Sequence, residues 1–151
     1  MARVLDVATY VLNQTESIST MKLQKLVYYS QAFHLVREGS PLFPEDIEAW
    51  ANGPVIPELF KFHKGEFVIS RGFLTGSVDA LNSEERASVD HVIERLGDWS
   101  GAQLSDLTHS EDPWRVARGS LPPRARSQTK ISCEVLRVYY RSCPAGNPVF
   151  A

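Results

Sequence analysis

Cysteine is scarce: this chain of 151 residues has two, Cys133 and Cys143. They stand ten positions apart, a separation that spans about 15 Å as helix, whereas a disulfide needs its Cα atoms within roughly 7 Å. Free thiols in a reducing compartment are therefore expected. Neither cysteine belongs to a Cys-x-x-Cys pair, and His34, His63, His91 and His109 share no ligand spacing, so no metal site is expected. Long apolar runs are missing as well. The amino-terminal stretch MARVLDVATYVLNQ carries Asp6 and Asn13 and reads as neither a signal peptide nor a membrane span, which makes the cytoplasm the expected compartment. A glycine-rich phosphate loop is absent, since Gly72 and Gly76 lie outside any G-x-G-x-x-G or Walker pattern, and there is no G-x-S-x-G elbow. Triads assemble from distant positions without a local signature. These absences nevertheless leave no catalytic residue to name, and a protein without enzymatic activity or cofactor is expected.

What is present is a core-forming chain. The net charge is −2 and 43% of the residues are hydrophobic, which argues against disorder and against a nucleic-acid-coating protein. One domain over 1–151 is expected. Helical periodicity dominates. Val4, Val7, Ala8 and Val11 form the stripe of a first helix near 2–14. A second starts at Ser19 or Thr20, either a fitting N-cap, and runs to Gly39, with Pro41 beyond. On its helical projection Met21, Leu26, Tyr28, Tyr29, Ala32, Phe33, Leu35 and Val36 fill a continuous half. Gln24, Gln31, His34 and Glu38 leave only a narrow polar strip, interrupted by Val27. That profile belongs to a central helix packed on several sides.

The segment IEAW alternates like a short strand, and FVISRGFL (67–74) reads as β with a bend at Gly72. A helix lies within 54–64. Asn82 or Ser83 caps the next, Asn82 with Glu85 forming a capping box and Val89, Val92, Ile93 and Leu96 facing inward. Others follow near 101–109 after Ser100, near 113–118 with Asp112 as N-cap, and about 132–142 behind Ser132, burying Val135, Leu136 and Tyr139. The expected fold class is mainly α, a single-domain helical bundle around the 20–39 helix with two or three short β-strands.

One turn stands out, EAWANGPVIPEL (48–59). Pro54 and Pro57 each fix φ and lack an N–H, and Gly53 loses much conformational freedom on folding. Two starts for the following helix stay open: Gly53 as N-cap with Pro54 first, or Pro57 first with Ile56 as a poor cap. Trp50 reads as core. His109, within THSEDPW, reads as satisfying backbone groups at a tight helix junction. Between Trp114 and Cys133 the charge is one-sided: Arg115, Arg118, Arg124, Arg126 and Lys130, with no acidic residue. This segment reads as a solvated loop, or as a patch for an acidic protein. No aromatic residue is interleaved there, which argues against a phosphate backbone as its target.

Four blocks in order, MKLQKLVYYSQAFHLVREGSPLF, EAWANGPVIPEL, LSDLTHSEDPW and EVLRVYY, cover about 20–140 and resemble the Panacea domain, also called the SocA-like antitoxin domain. The specific elements are Leu-Gln-Lys-Leu-x-Tyr-Tyr, Trp-x-x-Gly-Pro-Val and Thr-His-x-x-x-Pro-Trp. The resemblance implies a mainly helical fold, frequent carriage by prophages, and an antitoxin that neutralises a neighbouring toxin by direct protein contact. It also implies an alternative role, an adaptor delivering a toxin to a Clp-type protease. A third reading, from another class, is a small phage-encoded enzyme or host-modifying protein. The expected partner is a cognate protein toxin, not nucleic acid or membrane. Of the family-motif residues, Tyr28, Tyr29, Trp50, His109, Pro113 and Trp114 are read as structural. Asn52, Gly53, Pro54, Val55 and Pro57 around the turn, with Arg124 and Arg126, are the candidate partner-binding residues. No catalytic residue carries over, and the chain has no appended DNA-binding segment, so autorepression is not expected.

Overall fold

The chain turns inward at Ser19, whose hydroxyl accepts the N–H of Lys22 at 3.1 Å and starts the longest helix. That helix ends at Gly39 in the left-handed region (φ 77), whose N–H closes on the Leu35 carbonyl at 3.0 Å. The computed structural model describes residues 1–151. It contains seven α-helices: α1 (Val4–Thr15), α2 (Thr20–Glu38), α3 (Pro57–His63), α4 (Ser83–Leu96), α5 (Gly101–His109), α6 (Asp112–Arg118) and α7 (Cys133–Tyr140). Five strands join them: β1 (Ser17–Ser19), β2 (Ile47–Trp50), β3 (Gly53–Val55), β4 (Val68–Ser70) and β5 (Lys130–Ile131). The architecture is mainly α, and the strands exceed the expected two or three. Strands β1, β3 and β5 are too short to show a two-residue period.

Helix α2 packs against α1, α4, α5, α7 and β3 and contributes to one apolar core of 32 residues. The polar strip seen in its sequence is not a solvent face. Gln24, Gln31 and His34 are all buried, and each fastens another segment. Gln31 accepts the Leu42 N–H (2.6 Å) and donates to the Phe43 carbonyl (2.9 Å), holding the loop that leaves α2. His34 Nδ1 meets the Ser88 hydroxyl of α4 at 2.8 Å. Phe33 and Met21, placed in the apolar half, are less buried than the tyrosines beside them. Phe33 stacks on His91 with ring centroids 4.1 Å apart, and Met21 is 37% exposed.

Two small antiparallel sheets frame this hub. In one, β1 pairs with β4, Ile18 opposite Ile69. In the other, β2 lies between β3 and β5, with Trp50 opposite Gly53 and Ile47 opposite Ile131. The Trp-x-x-Gly-Pro block is thus a hairpin with Ala51 and Asn52 at its tip. Pro54 sits on edge strand β3, where a missing N–H is tolerated. Helix α3 starts at Pro57 with Ile56 as a cap lacking any side-chain bond, so the second of the two open starts is the one adopted.

Smaller differences have local causes. The β reading of 67–74 shrinks to β4, because Gly72 (φ 94) turns the chain away. Helix α6 begins one residue early, at Asp112, behind Glu111, whose side chain is drawn into the core instead of capping. Helix α7 buries Leu136 and Tyr140 rather than Val135, which is 45% exposed. Both cysteines are exposed free thiols. No helix is long and apolar enough to cross a membrane.

Candidate partner-binding cleft

Distant sequence blocks meet around the β2–β3 hairpin. Gln24 of α2 spans the start of α3: its Oε1 accepts the Ile56 N–H at 2.9 Å. Its amide nitrogen lies 3.0 Å from His63 Nε2. With the amide as donor, His63 accepts on Nε2 and holds its own proton on Nδ1. Burial, and then the nearby Lys25 charge, lower the His63 pKa and favour that neutral form. From the other side, the Ser105 hydroxyl of α5 donates to the Asn52 carbonyl at 2.6 Å. The Trp114 indole of α6 donates to the Trp50 carbonyl at 2.7 Å.

Gly53 explains itself here. Its φ is +121, and a Cβ at this position would stand 2.6 Å from Lys25 Cε and 3.0 Å from Thr108 Oγ1. The lysine side chain crosses where the missing methyl would be. Lys25 is 1% exposed, and burial alone lowers its pKa to about 8. No carboxylate offsets that cost, and Nζ makes no salt bridge or hydrogen bond within the protein. Its end opens onto a cleft of about 640 Å³.

The cleft is walled by Trp50, Phe60 and Met21, with Asn52 from the hairpin tip and Lys64 and Arg126 at its sides. Among its 14 lining residues three are lysine or arginine and none is acidic. Trp50, read as core, is half-buried; its ring packs edge-on to Phe60 at 5.1 Å and its indole N–H donates to Glu48 at 2.9 Å. Asn52 is exposed, whereas Gly53, Pro54 and Val55 are buried and Pro57 is half-buried. Only part of the candidate turn therefore faces outward.

The one-sided basic segment separates into two kinds of residue. Arg118 is buried, lies 5.5 Å over the Trp114 ring, and donates to the Pro122 carbonyl at 2.9 Å, pinning the loop. Arg115 pairs with Asp112 and Lys130 with Asp46. Arg124 and Arg126 have no such partner and are exposed. His109 stacks on Trp114 with centroids 3.9 Å apart, and its Nε2 is buried without a hydrogen bond. The ring's link to the backbone is with Asn52, at the hairpin tip, and does not involve Nε2. Pro113 is buried at the start of α6.

A second buried polar cluster is satisfied from within the protein. Glu111 accepts from the Tyr29 hydroxyl (2.6 Å), the Tyr140 hydroxyl (2.7 Å) and the Asn147 amide (2.8 Å). Tyr28 joins through the Tyr140 hydroxyl at 2.9 Å. Burial raises the Glu111 pKa while the three donors pull it back. Neither Glu111 nor Lys25 was singled out from sequence. For Lys25 the available signal was a lysine amid the apolar half of α2; Glu111, in the turn between α5 and α6, gave none.

A family model described as Antitoxin SocA-like, Panacea domain, matches residues 23–115. The chain belongs to that family. Within this Panacea domain the match takes in Gln24, Lys25, the hairpin, His63, Thr108 and Trp114, while Arg124 and Arg126 lie beyond it. Antitoxin SocA of Caulobacter vibrioides (strain NA1000 / CB15N) is 29% identical over 111 residues, 66% of this chain and 59% of that protein. The similarity thus spans less than two thirds of the relative. No solved structure matches.

Proposed function

We propose that this Panacea-domain chain is an antitoxin that neutralises a cognate protein toxin by direct binding, and that the cleft beside the hairpin is its contact face. The carrying observation is that two family-motif blocks far apart in sequence, those of α2 and of the hairpin, line one solvent-open cleft, while a third holds the hairpin through Ser105 and Trp114. The hairpin is held by α2, α5 and α6, so little conformational freedom is lost when a partner seats on it. Trp50 and Phe60 are the aromatic anchors expected to dominate such a contact. Asn52 and Arg126 stand at its edge, and Arg124 lies farther along the same loop.

The test is co-expression with the product of the adjacent open reading frame. Rescue of growth together with a stoichiometric complex on gel filtration supports the proposal. Asn52→Arg combined with Arg126→Glu is expected to abolish rescue at an unchanged melting temperature. Val55 is 7% exposed, so Val55→Asp would disturb the fold and is not used. A wild-type protein that neither binds nor protects contradicts the proposal.

A further inference from the structure

The cleft's floor is a built feature of the fold, because a lysine with no internal counter-charge occupies it. Burying an ammonium without a partner destabilises a protein unless an external group completes it. Lys25 cannot borrow its neighbours: Gln24 is committed to Ile56 and His63, and His63 is held by Gln24. Lys64 and Arg126 add two more cations, and no carboxylate lines the space. The chain as a whole is acidic, with net charge −2, so this is a local inversion of sign.

The chemistry of the missing group can be narrowed. One recessed ammonium neutralises one negative charge, which suits a carboxylate. A phosphate dianion calls for a guanidinium fork or several converging N–H donors at the floor. Apolar walls of Trp50, Phe60 and Met21 favour a carboxylate carried on apolar surroundings. Beside the cleft, Thr20 donates its N–H to the Phe67 carbonyl at 2.9 Å, and Phe67 is 83% exposed. An exposed aromatic residue bonded through its backbone to Thr20, itself a lining residue, adds neighbouring apolar surface that a protein partner can use and a small ion cannot.

We infer that the cleft receives an aspartate or glutamate side chain of the bound toxin, seated on Lys25, with flanking apolar residues against Trp50 and Phe60. This rests on the antitoxin reading above. The acidic side chain supplies the acceptor that the core withholds, and the water-poor setting strengthens the pair relative to a surface salt bridge.

Two measurements test it. In the first, phenylacetate, a carboxylate on an aromatic ring, is titrated into protein with isotope-labelled lysine and tryptophan side chains. Saturable shifts of the Lys25 and Trp50 resonances are expected, and none with neutral phenylacetamide. No shift with phenylacetate overturns the inference whatever the toxin does. In the second, Lys25→Met, which keeps length and apolar packing, is compared with wild type for toxin affinity and melting temperature. Affinity is expected to fall about thirty-fold or more, with a melting temperature equal to or above that of wild type. Zero-length carbodiimide coupling should join Lys25 to an acidic residue of the toxin. A complex that forms normally with Lys25→Met overturns the inference alone and leaves direct neutralisation standing; the absence of any complex overturns both.

Discussion

Two ionisable side chains lie deep in this core and are treated in opposite ways. Glu111 is 2% exposed and is surrounded by three donors from α2, α7 and the carboxy-terminal segment. Lys25 is 1% exposed and has no acceptor, yet its end meets open space. A charge satisfied internally ties elements together. A charge left unsatisfied at the floor of a cleft costs stability and offers a partner something that water cannot match. The contrast assigns structure to one cluster and recognition to the other.

The largest effect expected from breaking this contrast is on the closed side. Glu111→Ala leaves the Tyr29, Tyr140 and Asn147 donors without their acceptor and should cost about 3–5 kcal/mol in denaturant melts. A loss under about 1 kcal/mol would mean the cluster does not brace the fold.

Gly53→Ala comes next, at about 2–3 kcal/mol, from the strained φ and the collision with Lys25. In a Lys25→Ala background roughly half of that loss should disappear, because the backbone strain and the 3.0 Å approach to Thr108 Oγ1 remain. Equal losses in both backgrounds would break the claim that the lysine passes beneath the turn.

Lys25→Met sharpens the comparison in the other direction, stabilising the protein by about 1–3 kcal/mol at pH 7. The sign follows from the lowered pKa. Between about 8 in the folded state and 10.5 unfolded, the unfolded chain binds the extra proton, so wild-type stability rises with pH. Below pH 8 the penalty is fully present. The advantage of Lys25→Met should therefore shrink as melts are taken from pH 8 towards 10.5, where His63 and His109 are already neutral. A gap independent of pH would exclude a buried ammonium as its cause. Glu111 behaves inversely: its raised pKa makes its own contribution fall as pH rises above the carboxylate range.

The smallest effect on the fold is expected on the exposed loop. Reversing Arg124 and Arg126 to Glu should change stability by less than about 0.5 kcal/mol, while slowing toxin association and reducing its salt dependence. An association rate unchanged across ionic strength would remove these two residues from the interface.

Much of the scaffold was legible in the sequence because α2 repeats its pattern over many turns and its caps, Ser19 and Gly39, are strong local signals. The same pattern concealed the site. Periodicity groups Gln24, Gln31 and His34 by polarity, and polar residues on a helix are read as a solvent strip until packing shows what lies against them. Phe33 was likewise placed with Tyr29, although only Tyr29 is fully buried, so Phe33→Ala should cost less than Tyr29→Ala. The hairpin was readable as a shaped turn from Trp50, Gly53 and Pro54. The reason for the glycine was not, because it depends on a lysine 28 positions away. Val55 counts among the candidate partner-binding residues in the sequence because strand β3 is too short to reveal which side chains point inward.

The most direct test places toxin affinity and melting temperature of Lys25→Met side by side with wild type. A cleft that holds its lysine for a toxin carboxylate predicts binding weakened about thirty-fold or more by a variant at least as stable as wild type. A variant that melts earlier and binds the toxin as tightly as wild type would make Lys25 a structural residue and contradict the assignment.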